Sequence, residues 1–186
     1  LSYKVLTGLN WGISACSVPF FLKTDDDCFV NVPLLPRFLR MQQADPDSIY
    51  VGNIAFSEER SDVVRKPGSK WAVSYEEYSP SKYPSYASGI GYLLSCEVAQ
   101  RLVKFSKVYK PFPNEDAYIG VLANELGIRP IHSYRFTLFN SRWTICNFLY
   151  FLVLHHVTLE QQSEMMHLSL QAKEQCKSQN FFTSWN

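Results

Sequence analysis

Apolar and polar positions along the chain repeat with two different periods. Residues 3–15 carry apolar side chains three and four positions apart, which predicts a helix, whereas residues 18–22 form a short apolar run typical of a buried strand. Further strands are predicted at residues 49–54, 128–136 and 147–157, and residues 87–95 open with small residues and then become a strand. Four further helices are predicted, each after an N-cap residue: after Asn31 to about residue 43, after Ser95 to about residue 107, after Asn114 to about residue 126 and after Thr158 to about residue 175. Because strands and helices alternate, the predicted fold class is α/β.

The segments between these elements are predicted to be turns and loops. Residues 45–48 have turn composition, and residues 57–69 are charged and contain Pro67-Gly68, which predicts an exposed loop or hairpin tip. Residues 71–86 are dense in aromatic residues and proline and leave little room for regular structure. Aromatic rings on a loop beside a polar site are a common platform for sugar rings, although packing beneath the loop is the more frequent role of any single ring.

Three consecutive aspartates, Asp25, Asp26 and Asp27, follow the first predicted strand. Open α/β sheets bind ligands at the carboxyl ends of their strands, and adjacent carboxylates repel one another unless solvent or a cation screens them. On an extended backbone Asp25 and Asp27 project to the same side, where their oxygens suit Mg²⁺ or Mn²⁺ and, through the ion, phosphate oxygens. A solvated acidic turn is the plain alternative.

Two other stretches carry weaker signals. Glu115 and Asp116 follow Asn114, and acids in the first turn of a helix stabilise the helix dipole, so the residues alone leave a functional role open. Gly89 and Gly91 allow a ligand or another element to approach the backbone closely.

Composition and charge restrict the partners. The 186 residues have a formal net charge of +1, which does not indicate nucleic acid or an anionic membrane surface, so a small or a neutral polar partner such as a sugar is expected. The five cysteines form no Cys-x-x-Cys pair, so zinc-site spacing is absent and the compartment stays open. The chain begins at Leu1, inside a predicted helix, and we expect a fragment of a longer protein.

Five stretches in a fixed order resemble a known family. They are residues 6–11, residues 23–31 (Lys-Thr-Asp-Asp-Asp-Cys-Phe-Val-Asn), residues 71–74 with 83–92, residues 115–120 (Glu-Asp-Ala-Tyr-Ile-Gly) and residues 154–157 (Leu-His-His-Val). Together they resemble the β-1,3-glycosyltransferase family, which contains β-1,3-galactosyl- and N-acetylglucosaminyltransferases. The resemblance covers about residues 3–175.

The resemblance implies a GT-A-like fold with a mixed central sheet flanked by helices. Residues 1–176 are then expected to be the C-terminal part of a single catalytic domain, and residues 177–186 a tail. The family's first strands and nucleoside-binding segment are expected upstream of Leu1.

The resemblance also implies an activity. It is an inverting, metal-dependent transfer of galactose, GlcNAc or GalNAc from a UDP-sugar to the 3-hydroxyl of an acceptor glycan on a glycoprotein or glycolipid, in a β-1,3 linkage. The implied cofactor is Mn²⁺ or Mg²⁺. The implied location is the lumenal side of the Golgi membrane, held by an anchor that is absent from this chain, with no nucleic acid as partner.

Site residues follow from the same resemblance. Asp116 is the implied general base. The implied metal ligands are Asp25, Asp27 and His155, with the neighbouring His156 leaving the register uncertain by one. The residues implied to bind the donor are Lys23, Asp25, Asp26, Gly89, Gly91 and Glu115.

The chain departs from the family pattern at three positions, of which Ala117 in place of valine is a mild core change. Ala87 stands where many members have cysteine, so a disulfide common there is expected to be missing or rearranged. Cys28 stands beside the metal motif, where members often carry an apolar residue.

Two alternatives remain open, and a third is excluded. A Mg²⁺-dependent phosphatase would use Asp25 as nucleophile, but Phe29 occupies a position where that motif has a small β-branched residue. An inactive fragment could bind a glycan or a partner protein through the aromatics of residues 71–86. An EF-hand is excluded because Phe29 replaces an oxygen ligand and no glycine follows it.

Overall fold

The structure is a computed structural model that describes residues 1–15, 17–41, 48–54, 61–138 and 144–176. Its helices are α1 (Ser2–Ala15), α2 (Leu35–Met41), α3 (Cys96–Phe105), α4 (Glu115–Glu125) and α5 (Leu159–Gln175), with two 3₁₀ helices at Val32–Leu34 and Ile145–Leu149. Its strands are β1 (Phe20–Thr24), β2 (Cys28–Val30), β3 (Tyr50–Gly52), β4 (Gly91–Ser95), β5 (Ile131–His132), β6 (Phe136–Thr137) and β7 (Val153–His155).

The strands form two mixed sheets. The first has the order β1-β4-β3-β5, in which β3 and β5 are parallel and the other neighbours antiparallel. The second has the order β2-β7-β6, in which β6 and β7 are parallel. The predicted α/β fold with mixed sheets and flanking helices is therefore confirmed, with two sheets in place of one central sheet.

Three apolar clusters hold these layers together. The largest packs β4 and β3 against α1, α3 and α4, and its fully buried members include Tyr50, Tyr92, Leu94, Leu102 and Tyr118. A second cluster joins the two sheets and includes Ile90, Leu93, Phe136 and Val153. A third lies between β2, β7 and α5 and includes Phe29, Phe148, Phe151 and Leu154. The disulfide Cys146–Cys176 ties the second 3₁₀ helix to the end of α5 beside this third cluster.

Helix starts agree with the sequence at two caps and differ at two others. Ser95 accepts a hydrogen bond from the Val98 N–H, and Thr158, predicted as an N-cap, forms a capping box with Gln161 at the start of α5. Asn31 and Asn114 occupy N-cap positions, but neither makes a side-chain cap. Asn31 instead donates to the carbonyls of Phe148 and Phe151, and Asn114 donates to the Trp71 carbonyl, so both amides connect distant segments.

Two predicted strands are wrong in extent. Residues 128–136 contain only β5 and the start of β6, because Ser133–Arg135 turn the chain between them. In residues 147–157 the strand is limited to β7. Thr144 and Asn147 form a capping box that starts a 3₁₀ helix, and a short apolar run alone does not distinguish a buried helical turn from a strand.

Loop predictions agree with the structure in part. Residues 71–86 contain turns and bends, as predicted. In the described part of 57–69, Ser61 and Val63 are buried and Asp62 bridges to Lys82, so this stretch is not simply exposed. The predicted turn at 45–48 and the end of α2 near residue 43 fall largely outside the described residues.

Across the described ranges, none of the helices combines the length and the apolar character needed to cross a membrane.

Candidate active site

A cavity of about 1180 Å³ opens at the carboxyl end of β1, between α1, the loop after residue 61 and the start of α4. The predicted site residues on its wall are Lys23, Asp25, Asp26, Asp27, Gly89, Asp116 and His155. Gly91 and Glu115 do not line it. The structure therefore brings most of the predicted site together, because the aspartate turn (Asp25–Asp27) and the start of α4 line the same cavity.

The first group is formed by Asp27 and His155, which line the cavity, and by the adjacent His156, which does not. Asp26 and Asp27 form a turn between β1 and β2, so the expectation of an extended backbone through the aspartates is wrong. Because β2 and β7 are antiparallel with Cys28 opposite His155, the Asp27 carboxylate reaches His155, with Oδ2 3.4 Å from Nε2. His156 Nδ1 lies 4.0 Å from the same oxygen. We call Asp27, His155 and His156 the histidine end of the cavity.

The histidine end has the donor set of a divalent-cation site. One ligand atom from each of its three residues lies within 4.8 Å of the others. One carboxylate with imidazoles suits Mn²⁺ and related transition metals. The two histidines differ in setting, since the His155 side chain is 25% exposed and that of His156 is 87% exposed on a left-handed backbone (φ 68°).

The other two aspartates make different contacts. The Asp25 carboxylate accepts a hydrogen bond from Lys23 Nζ at 2.8 Å and does not belong to the group formed by Asp27 and the histidines. Asp26 is exposed, and its carbonyl accepts a hydrogen bond from Gln162 on α5. The three neighbouring aspartates thus have different partners.

The second group on the wall centres on Asp116. Its Oδ2 accepts a hydrogen bond from the Gly89 N–H at 3.0 Å, and its Oδ1 accepts one from the Ala117 N–H at 2.9 Å. Burial raises the pKa of Asp116, although both hydrogen bonds oppose the rise. The result is an oriented carboxylate that faces the cavity and is more basic than an exposed aspartate.

Glu115 lies behind the wall, in the core. It accepts a hydrogen bond from the Tyr92 hydroxyl, and its Oε2 lies 3.1 Å from Lys23 Nζ. Burial raises the pKa of Glu115, and the charge of Lys23 partly offsets this rise. The expectation that Glu115 contacts the donor is therefore not supported by its position.

Lys23 connects the groups just described. Its Nζ lies 2.8 Å from Asp25, 2.6 Å from the Gly89 carbonyl and 3.1 Å from Glu115. Burial lowers the pKa of Lys23, but Glu115 and Asp25 outweigh this effect, so the net shift is upward and the side chain stays charged. We call Lys23, Asp25, Gly89, Glu115 and Asp116 the lysine end of the cavity.

The two glycines differ in what surrounds them. A Cβ at Gly91 would lie 3.2 Å from Val153 and 3.4 Å from Phe136, so this glycine serves the packing of β4 against the second sheet. It does not line the cavity, and its role in donor binding stays a prediction. A Cβ at Gly89 would lie 3.4 Å from both Asp116 Oδ2 and Lys23 Nζ, on the cavity wall.

The aromatic loop divides between core and cavity. Tyr78 and Tyr83 are buried and stack in a group with Phe112, as ordinary packing predicts. Trp71 is half exposed and lines the cavity, where its carbonyl accepts the hydrogen bond from Asn114. Sequence reasoning did not identify the role of Asn114, because its helix-cap pattern gave no sign of this contact.

One family model and several curated proteins are similar to this chain. The family model described as Galactosyltransferase matches residues 1–134. The chain is 33% identical to β-1,3-galactosyltransferase 4 of Canis lupus familiaris over 71% of this chain and 43% of that protein. It is 29% identical to β-1,3-galactosyltransferase 1 of Mus musculus over 87% of this chain and 49% of that protein, and 32% identical to β-1,3-galactosyltransferase 5 of Homo sapiens over 84% and 51%. The chain spans about half the length of these curated relatives.

Proposed function

Because this chain belongs to the galactosyltransferase family, we propose that it serves the transfer of galactose from a UDP-sugar to the 3-hydroxyl of an acceptor glycan, in a β-1,3 linkage. GlcNAc and GalNAc are the other donor sugars to be compared. The observation that carries the proposal is a single cavity whose wall carries both a potential cation site and an oriented carboxylate.

The proposed metal ligands are Asp27 and His155, with His156 beside them. Their carboxylate and imidazole groups fit Mn²⁺ or Mg²⁺, and Mn²⁺ better because it accepts nitrogen ligands more readily. When bound, the ion neutralises charge on the departing diphosphate. A direct role for Asp25 remains a prediction, because Lys23 already holds its carboxylate.

The proposed general base is Asp116. It would take the proton of the acceptor hydroxyl as that oxygen attacks the anomeric carbon of the donor, in line with the leaving group. The two backbone N–H donors fix the carboxylate in direction, and burial keeps its basicity high. One displacement inverts an α-linked donor to a β-linked product, so the reaction requires no nucleophile from the protein.

The proposed acceptor is a glycan carried by a glycoprotein or glycolipid. Trp71 supports this choice, since a half-exposed indole on the wall of a polar cavity offers the apolar face against which sugar rings pack. The proposed location is the Golgi lumen, and the Cys146–Cys176 disulfide supports it because such bonds persist in oxidising compartments.

A donor screen tests the proposal. The full-length protein is incubated with Mn²⁺, an acceptor glycan and each of UDP-galactose, UDP-GlcNAc and UDP-GalNAc, and the linkage of any product is assigned by NMR. A β-1,3-linked product from UDP-galactose is expected, and chelation of the metal should abolish it. Phosphate release from phosphomonoesters without sugar transfer would favour the phosphatase, and glycan binding without transfer would favour a non-catalytic role.

A further inference from the structure

Lys23 is surrounded by protein groups to an unusual degree for a lysine on a cavity wall. Its side chain is 13% exposed, and its Nζ lies within 3.1 Å of two carboxylates and one carbonyl. Two of these contacts, to Asp25 and to the Gly89 carbonyl, are hydrogen bonds, and the contact with the buried Glu115 Oε2 is an ion pair, so the charge of the ammonium is engaged within the protein.

The three partners of Lys23 belong to three separate segments. Asp25 lies at the aspartate turn, Gly89 in the loop before β4, and Glu115 at the start of α4. These segments are distant in sequence, and each supplies part of the cavity wall. A single charge therefore fixes their relative positions.

Gly89 extends this connection to the proposed base. Its carbonyl accepts from Lys23 Nζ at 2.6 Å, and its N–H donates to Asp116 Oδ2 at 3.0 Å. Asp116 also follows Glu115 directly in the chain, so Lys23 is connected to the Asp116 carboxylate both through Gly89 and through Glu115. A shift of Lys23 would therefore move the proposed base.

A diphosphate on Lys23 would have to compete with these groups. Glu115 is 2% exposed, and withdrawing the cation from a buried carboxylate leaves an uncompensated charge, which is strongly unfavourable. We propose that Lys23 is a positioning residue that joins the aspartate turn, the Gly89 loop and the start of α4 and so sets the place of Asp116, and that it is not a ligand of the donor's phosphates. This inference rests on the proposed function.

The functional test separates phosphate binding from positioning. In Lys23→Met/Glu115→Gln the buried charge pair is replaced by neutral groups, and the glutamine can still accept the Tyr92 hydrogen bond. We expect the Kd for UDP with Mn²⁺, measured by calorimetry, to change by less than about threefold, while kcat falls by about tenfold or more. A lysine bound to phosphate would give a rise in Kd of about tenfold or more, because hydrogen bonds to charged groups are worth that much.

Two further variants serve as controls. Lys104 is an exposed lysine on α3 that does not line the cavity, and Lys104→Met is expected to leave kcat near the wild-type value. Lys23→Arg keeps the charge and is expected to retain part of the kcat that Lys23→Met/Glu115→Gln loses. A tenfold weaker UDP affinity in Lys23→Met/Glu115→Gln, with the affinity of Lys104→Met unchanged, would overturn the inference.

A stability measurement tests whether Lys23 holds the three segments together, without any assumption about activity. Lys23→Met alone leaves Glu115 buried without its cation, and we expect the melting temperature to fall by about 10 °C. Lys23→Met/Glu115→Gln should lose clearly less than the sum of the two single variants, and additive losses would overturn the inference. If the wild-type protein neither binds UDP nor transfers sugar, the proposed function fails, and this cycle still decides whether Lys23 holds the segments together.

Discussion

The two ends of the cavity differ in how completely their charges are satisfied by the protein. At the lysine end, Lys23, Asp25, Glu115 and Asp116 pair with one another or with backbone N–H groups at 2.8 to 3.1 Å. At the histidine end, Asp27 meets His155 and His156 at 3.4 and 4.0 Å, and all three are partly or largely open to solvent. The charges of the first arrangement are paired within the protein, although Glu115 Oε2 has an ion pair and no hydrogen bond among the described residues, whereas the second has the spacing of ligands around an ion.

The two ends also rest on different parts of the core. Asp116 begins α4, most of whose residues are buried in the largest apolar cluster. Asp27 precedes β2 and His155 ends β7, and Phe29 and Leu154 of these strands pack in the smaller third cluster beside the Cys146–Cys176 disulfide. The proposed base is therefore held by extensive packing, and the proposed metal ligands lie beside a smaller, cross-linked unit. Four predictions test this difference.

The largest effect is expected at the lysine end, from Asp116→Asn. The amide keeps the size of the side chain but cannot take a proton, so kcat for sugar transfer should fall by about 10² to 10⁴-fold. The Kd for UDP with Mn²⁺ should stay near the wild-type value, because Asp116 lies apart from the histidine end. Near-normal turnover in this variant would show that the base is another residue.

The next effect concerns the support of the histidine end. In Cys146→Ser/Cys176→Ser the cross-link between positions 30 residues apart is lost, and the free energy of unfolding in urea should fall by about 3 to 4 kcal/mol. Amide hydrogen exchange should increase more in β2 and β7 than in α4. Cys96→Ser, at a half-buried cysteine without a disulfide, is the control and should change the unfolding free energy by less than about 0.5 kcal/mol. If the amides of α4 lost as much protection from exchange as those of β2 and β7, the two ends would belong to one cooperative unit.

A smaller effect distinguishes the two histidines. His155→Ala should weaken Mn²⁺-dependent UDP binding by about tenfold or more, since even residues that only orient metal ligands contribute about that much. His156→Ala should weaken it less, because His156 is the more exposed and lies farther from Asp27. Calorimetric titration of UDP with and without Mn²⁺ measures both, and the reverse order would assign His156 as the ligand.

The smallest effect is a pH dependence at the lysine end. Burial raises the pKa of Asp116, and the base must be deprotonated, so kcat/KM should be level above this raised pKa and fall about tenfold per pH unit below it. The residual activity of Asp116→Asn should lack this fall at low pH, and a fall that persists in the variant would belong to another group.

The stability of the fold should also depend on pH. The folded-state pKa values of Glu115 and Asp116 are both raised, so the stabilisation that comes from their protonated forms is complete below their unfolded-state pKa. This stabilisation is lost as pH rises through their folded-state pKa.

Local signals in the sequence predicted much of this arrangement. The apolar period predicted α1, and the caps at Ser95 and Thr158 predicted the starts of α3 and α5. The acidic run after β1 and the acidic start of α4 marked the two stretches that meet on the cavity wall. Such features depend on a few neighbouring residues, which is why a single sequence contains them.

The errors involve side chains whose partners lie far along the chain. Asn31 has the pattern of a helix cap but bonds to carbonyls more than 100 positions away, and no local signal showed that Lys23 pairs with Glu115. Gly91 reads as a site for close ligand approach but packs against Val153 of the other sheet. Local composition cannot distinguish these roles, because tertiary packing decides them.

The aspartate turn has a consequence for how the chain can vary in length. Asp25–Asp27 are the whole connection between β1, which pairs with β4 in one sheet, and β2, which pairs with β7 in the other. Adding or removing one residue there would shift a strand by one position and reverse which of its side chains face the core. Insertions and deletions should therefore be tolerated far less between residues 24 and 28 than substitutions of the exposed Asp26.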